Sequence, residues 1–273
     1  MKKKVLLLGA NGLVGQAMAA ALKEAYQIIP ASGHGTPEGG YCLPVEASER
    51  LADVLEREAP GIVISSIRGD FRRQMTFHAV LADWLAGREA QLLYISTANV
   101  FDGDLSRPWL ETDAPRPESD YGVFKRDCEA MLREKLGERL AIFRLPSVWA
   151  PGCPRIQQLA AHSRNGEPHH TIRGDAVNIV LARQIGDYAK YVLAHGLRGI
   201  FHVGTTDMVD YFALEKMVCT ALGIQEPVFE VEETGMEAYQ AVLPGRKDIP
   251  NALQMTVTQV LESLRSSKKA AAG

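Results

Sequence analysis

Residues 5–15 read VLLLGANGLVG, and the helix-forming stretch QAMAAALKEAY follows at once. An unbroken apolar run of this kind is a strand buried on both faces, as in a parallel sheet. Gly9, Gly12 and Gly15 behind it mark a tight strand-to-helix turn. Gly9 permits the sharp bend, Gly12 a close approach of backbone to a ligand, and Gly15 a helix lying close on the sheet. The start of that helix aims free N–H groups and a positive dipole end at an anion, typically a pyrophosphate. The spacing is Gly-x-x-Gly-x-x-Gly rather than Gly-x-Gly-x-x-Gly. Its weight comes from its place between an N-terminal strand and an Ala-rich helix.

The same alternation continues. Strands are expected at residues 4–9, 26–31, 41–45, 61–66, 91–96 and 139–145, with helices at 13–25, 48–59, 71–87 and 119–137 between them. Repeated β-α with buried-type strands predicts an α/β fold: a Rossmann-like, doubly wound parallel sheet. After APGCP (150–154) the pattern weakens into short strands such as HHTI, GIFHV and VFEVE, and a helical stretch at 180–194 reads as able to return to the main sheet. The expected organisation is a dinucleotide-binding domain over 1–150, a smaller mixed substrate-binding region over 151–265, and a flexible tail over 266–273.

Composition narrows the partners. A net charge of −3, from 30 basic and 33 acidic residues, gives no reason to expect nucleic acid or an anionic membrane. Cys42, Cys128, Cys153 and Cys219 lie far apart with no C-x-x-C pair, which argues against a disulfide framework or zinc cluster and fits a reducing cytoplasm. The start, MKKKVLLLGANGLVG, has the basic head and apolar stretch of a leader, but Asn11 and Gln16 break it, and removing it would remove the first strand. No apolar run is long enough to span a bilayer.

Ligands of open α/β sheets bind beyond the carboxyl ends of the strands. That rule selects residues 9–15, 31–40, 65–71 and 96–103. No acid stands in ASGHGT at the end of the second strand, where one would bind a ribose 2′-hydroxyl and repel a 2′-phosphate. Ser32 and His34, with Arg68 as a helper, are candidates to accept that phosphate, so NADP(H) is favoured over NAD(H); His34 reads more simply as a solvated loop residue. Ser65 and Ser66 are assigned to the cofactor as well. Ser96 and Thr97 end the fifth strand, where a hydroxyl can donate to a substrate oxygen. Tyr121 and Lys125 are four apart on the next helix and share a face. A neighbouring ammonium favours a phenolate, and a drop of ~3 units from the phenol's usual pKa would make Tyr121 a usable acid. His169 and His170 look like a metal pair, but neighbours in a strand point to opposite faces, and no metal is expected. Arg144 and Arg155 read either as phosphate ligands or as surface ion pairs, and RPWLETDAPRPE as a solvated loop or a lid.

In this order, the Gly-x-x-Gly-x-x-Gly turn, Thr97, and Tyr121-x-x-x-Lys125 resemble the extended short-chain dehydrogenase/reductase superfamily. Within it the chain is most similar to the dTDP-4-dehydrorhamnose reductase family, through YISTANVFDG, WLETDAPRPESDYGVFKRDCEAML and AIFRLPSVWAPG, with weaker echoes at LARQIGDYAKYVL, GIFHVG and GRKDIPNALQMT. The resemblance implies reduction of a nucleotide-linked 4-ketosugar by a nicotinamide cofactor, and a homodimer. It implies Thr97 as the hydroxyl polarising the carbonyl, Tyr121 as the acid, and Lys125 as ribose anchor and pKa tuner. Gly9, Gly12 and Gly15 would hold the pyrophosphate, with backbone N–H groups offered by Asn11 and Leu13. Three positions depart from the pattern. Ala98 stands where an Asp is usual; Pro44, with Glu46 nearby, stands for an acid in the third strand; and SSIRGDF replaces a small apolar run. Two other readings stay open: a sugar-nucleotide epimerase or dehydratase, and a non-catalytic NAD(P)-binding subunit like the regulatory subunit of methionine adenosyltransferase.

Overall fold

The computed structural model describes residues 2–272, apart from the side chains of Met236 and residues 269–272. In chain order the elements are β1 (Lys4–Leu8), α1 (Leu13–Leu22), β2 (Gln27–Ser32), β3 (Tyr41–Cys42), α2 (Ser48–Glu58), β4 (Ile62–Ser65), α3 (Phe71–Ala86), β5 (Gln91–Thr97), α4 (Asp120–Leu136) and β6 (Leu140–Leu145). They continue with β7 (Ser147–Trp149), α5 (Pro154–Asn165), β8 (His169–Val177), β9 (Ile179–Leu181), α6 (Ala182–Ala194), β10 (Gly199–His202), β11 (Val209–Asp210), α7 (Tyr211–Leu222), β12 (Phe229–Gln240) and α8 (Val257–Ala272).

The chain divides into two compact units. The first comprises Met1–Gly103, Pro115–Arg144 and Ala182–Phe201; the second comprises Asp104–Ala114, Leu145–Leu181 and His202–Gly273. The seven-stranded sheet of the first unit has the order β10-β6-β5-β4-β1-β2-β3. The run β3-β2-β1-β4-β5 is parallel throughout. From β1 the chain moves outward through β2 and β3, then returns to build β4, β5 and β6 on the other side. That reversal leaves a crevice at the carboxyl ends of β1 and β4, where ligands of such sheets bind.

Both faces of the sheet are buried, which explains its continuous apolar strands. On one face Leu6, Leu8, Val63, Leu92, Tyr94 and Ile142 meet Leu51 and Leu55 of α2, Phe77 and Leu81 of α3, and Cys128 and Leu132 of α4. Val5 and Leu7 alternate with them and are fully buried too. On the other side α6 packs on α1, so Ala182–Ala194 of the 180–194 stretch joins the first unit as a helix, while Val180 and Leu181 end β9 in the second.

In the second unit β8 pairs antiparallel with β11 and parallel with β12, and β7 pairs with β9. Asn178, fully buried, ties three segments: its amide donates to the Thr205 and Val242 carbonyls at 3.2 and 2.8 Å and accepts from the Val242 N–H at 3.1 Å. The RPWLETDAPRPE segment is not loose in its first part. Trp109 is buried, Arg107 lies 4.0 Å over its ring, and Arg107 chelates Asp113 at 2.9 and 3.0 Å. Helix α8 runs on through Ala272, over most of the expected tail, and Gly273 lies outside the described residues. Among the described residues no helix is long and apolar enough to cross a membrane.

Candidate active site

The glycine turn forms as β1 ends. Gly9 has φ +86°, a conformation that favours glycine, and a Cβ there would lie 2.8 Å from the carbonyl oxygen of Ser66. Gly9 therefore brings the ends of β1 and β4 into contact. A Cβ on Gly15 would come within 2.2 Å of the Gly9 carbonyl. Gly15 thus lets the first turn of α1 lie on its own loop, where the sequence suggested the sheet. The first main-chain bond of α1 runs from Gln16 N to Gly12 O at 2.9 Å. The N–H groups of Leu13, Val14 and Gly15 have no helical acceptor. No side chain caps this end and no acid sits in its first turn, whereas α3, α4 and α7 are capped by Asp70, Ser119 and Asp210. An uncapped, glycine-lined helix start fits the pyrophosphate of a dinucleotide. Asn11 supports the turn: its carbonyl accepts from Gln16 Nε2 at 2.9 Å.

The serines assigned to the cofactor separate. Ser66 is half-buried, and its hydroxyl donates to the Leu8 carbonyl at 3.1 Å, at the β1/β4 crevice. Ser65 is buried and faces inward, with Oγ 2.8 Å from His78 Nε2. His78 Nδ1 lies 2.8 Å from the Gln74 carbonyl, which accepts only from N–H, so Nδ1 carries the proton and Nε2 accepts from Ser65. Burial, with the Lys125 charge adding to it, holds His78 neutral with a pKa lowered to about 3. Ser65 is thus committed to a buried imidazole and is not offered to a ligand. Ser32 is also engaged: its hydroxyl donates to the His34 carbonyl at 2.9 Å and accepts from the His34 N–H at 3.3 Å.

Thr97, Tyr121 and Lys125 come together. Thr97 ends β5; its Oγ donates to Asn99 Oδ1 at 2.9 Å and accepts from the Asn99 N–H at 3.2 Å. Asp102 accepts from the N–H groups of Glu118 at 2.7 Å and Ser119 at 3.2 Å, and from the Ser119 hydroxyl. Ser119 in turn caps α4 through the Gly122 N–H at 3.0 Å. These bonds register the end of β5 against the start of α4. A Cβ on Gly122 would meet the Asn99 carbonyl at 2.2 Å, so the contact needs glycine. The Thr97 hydroxyl is thereby placed where it lowers the pKa of the Tyr121 phenol.

Lys125 is buried. Its Nζ donates to the Ile95 carbonyl at 2.9 Å and lies 4.7 Å from the Tyr94 ring centre and 5.9 Å from that of Tyr121. Burial lowers its pKa to about 8. The Tyr121 phenol departs from the expected drop: burial raises its pKa, with the Arg68 charge and the Thr97 hydroxyl acting the other way. Arg144, read as a phosphate ligand or surface residue, is neither. It is fully buried and chelates Glu129, with Nη2 to Oε2 at 2.7 Å, while Ser96 donates to Glu129 Oε1 at 2.5 Å. This pair ties β5, α4 and β6 together beneath the site. Sequence reasoning missed Glu129, although it stands one turn beyond Lys125. In the second unit His169 is buried and His170 exposed; His169 Nε2 lies 2.9 Å from Glu215, a partner remote in sequence.

Residues 68–263, well over half the chain, match the RmlD substrate binding domain family. The chain belongs to that family. Among characterised relatives of this RmlD-family chain, the dTDP-4-dehydrorhamnose reductase of Escherichia coli (strain K12) is 27% identical over 231 residues, covering 77% of this chain and 76% of its own. A crystal structure of the Bacillus anthracis str. Ames dTDP-4-dehydrorhamnose reductase in complex with NADP has the same fold, with TM-score 0.83, 20% identity and coverage of 98% and 99%. The dTDP-glucose 4,6-dehydratase of that organism, in complex with NAD, shares it too, with TM-score 0.80, 14% identity and coverage of 98% and 97%.

Proposed function

We infer that this RmlD-family chain is an NAD(P)-dependent reductase of a nucleotide-linked sugar ketone, of the dTDP-4-dehydrorhamnose reductase type. The observation that carries the reading is the cluster of Thr97, Tyr121 and Lys125 beyond β5, in the same unit as the uncapped glycine turn. The backbone N–H groups of Leu13, Val14 and Gly15 hold the pyrophosphate, and Lys125 holds a ribose hydroxyl. A bound nicotinamide supplies the hydride. Thr97 orients the carbonyl oxygen, and Tyr121 donates the proton that completes the alcohol. The cofactor is NADPH: no carboxylate stands at the end of β2 to repel a 2′-phosphate. A homodimer in the cytoplasm completes the reading, and the four free cysteines agree with a reducing compartment.

Reduction is favoured over dehydration by one feature. Ala98 follows Thr97, and the carboxylate on that turn, Asp102, is held by Ser119 and two backbone N–H groups. No spare acid stands beside the threonine. The test is a panel of nucleotide ketosugars with NADPH and NADH, comparing the native chain with Tyr121→Phe. Turnover falls at least about a hundredfold in the variant, while NADPH still raises its unfolding temperature. Equal turnover in the two proteins rejects the assignment of the acid.

A further inference from the structure

Lys125 is a buried cation that no carboxylate pairs. Among the described residues its ammonium has one hydrogen-bond acceptor, the Ile95 carbonyl at 2.9 Å. Glu129, one helical turn away, is engaged by Arg144 and Ser96. A charge removed from water with so little compensation is unfavourable. What surrounds the ammonium instead is aromatic. Its Nζ lies 4.7 Å from the centre of the Tyr94 ring, 5.6 Å from that of Phe124 and 5.9 Å from that of Tyr121. The negative face of a ring attracts a cation within about 6 Å, and more strongly where water is excluded. We propose that Tyr94 is a positioning residue of the site, whose ring face holds the Lys125 ammonium in its charged form. The proposal deepens the reading of Lys125 as the ribose anchor and rests on it.

The Tyr94 ring is itself fixed. It stands on β5 beside Ile95 and is buried, and the His78 ring meets it at 85° with centres 5.1 Å apart. His78 is in turn held at both nitrogens, by the Ser65 hydroxyl and the Gln74 carbonyl. Several titratable or charged groups act on Lys125. Its own helix brings Tyr121, Cys128 and Glu129, β5 brings Tyr94, α3 brings His78, and the loop after β4 brings the Arg68 charge. Burial is the largest influence and lowers the ammonium to about 8, with Arg68 adding to it and Cys128 and Glu129 opposing. Near pH 8 the Cys128 thiol, pushed up to about 11 by burial, and His78, lowered to about 3, are both neutral. A ring face differs from a carboxylate in what it demands. It favours the charge without taking up an N–H···O bond. The Ile95 carbonyl uses one of the three ammonium donors, and the others are left for ribose hydroxyls.

The test reads the ammonium directly. The full chain is labelled with carbon-13 at the lysine ε-carbon, and the resonance that disappears in Lys125→Arg is followed against pH. The parent is compared with Tyr94→Phe, with Tyr94→Leu, and with Tyr94→Phe carrying one, two or three ring fluorines, which weaken the negative ring face at nearly constant size. Tyr94→Phe should titrate with the parent, because the ring is kept. Tyr94→Leu should titrate about one unit lower, and the midpoint should fall stepwise with each added fluorine. The fluorinated series decides the matter if Tyr94→Leu does not fold. Coincident curves across that series would overturn the proposal, as would a Tyr94→Phe curve displaced as far as that of Tyr94→Leu. The titration needs neither cofactor nor substrate, so it decides the role of Tyr94 even if the ketosugar panel rejects the reductase reading.

Discussion

Single residues here are decided by where their polar atoms can go. Ser65 and Ser66 are neighbours, yet one bonds a buried imidazole and the other sits at the crevice. Alternation along the end of β4 makes that difference, because successive side chains point to opposite faces. Ser65→Ala should therefore leave cofactor affinity unchanged while orphaning His78 Nε2, at a cost of about 1–3 kcal/mol in stability. Urea unfolding beside a cofactor titration checks it; weaker cofactor binding at unchanged stability would contradict the assignment. Thr97, Tyr121 and Lys125 were legible because each follows a strand end or shares a helical face. The charge environment of Tyr121 was not. A Lys four residues away says nothing about the Ile95 carbonyl that claims its ammonium.

Elements are held in register by their ends. Helix α4 starts on the turn after β5 because Asp102 gathers Ser119 and Glu118, and because Gly122 lets the helix backbone touch Asn99. Gly122→Ala should force these apart. Activity should then drop by more than an order of magnitude, because a misplacement of the acid by an ångström costs that much. The fold should survive, which far-ultraviolet circular dichroism and kcat together would establish; unchanged kcat would show that the contact does not set the geometry. The order of strands and helices to β6 was readable, since buried parallel strands and amphipathic helices differ in period. The second unit was less so. Helices α5 and α7 and the long β12 interleave with short strands, and β8 and β12 pair across some sixty residues.

For the whole molecule, a neutral histidine buried in the core couples folding to pH. Unfolded, His78 takes a proton below about pH 6.5; folded, it stays neutral until about pH 3. Between those values the unfolded chain binds more protons, so stability falls as pH falls. From pH 7 to 5.5 the loss from this group is about 1 kcal/mol. Urea unfolding at the two pH values measures it, and His78→Gln should lose that increment; an equal loss in the variant would place the linkage elsewhere.

By itself the sequence determined the α/β class, the phosphate-type turn and the strand ends where chemistry belongs, because these rest on local periodicity and on glycine at fixed spacing. Only the tertiary structure decided which polar atoms are left for a ligand. It turned Ser65 to His78, closed Ser32 on His34 and paired Arg144 with Glu129. Those outcomes depend on side chains far apart in the chain competing for the same buried donors and acceptors, and no local pattern records who wins.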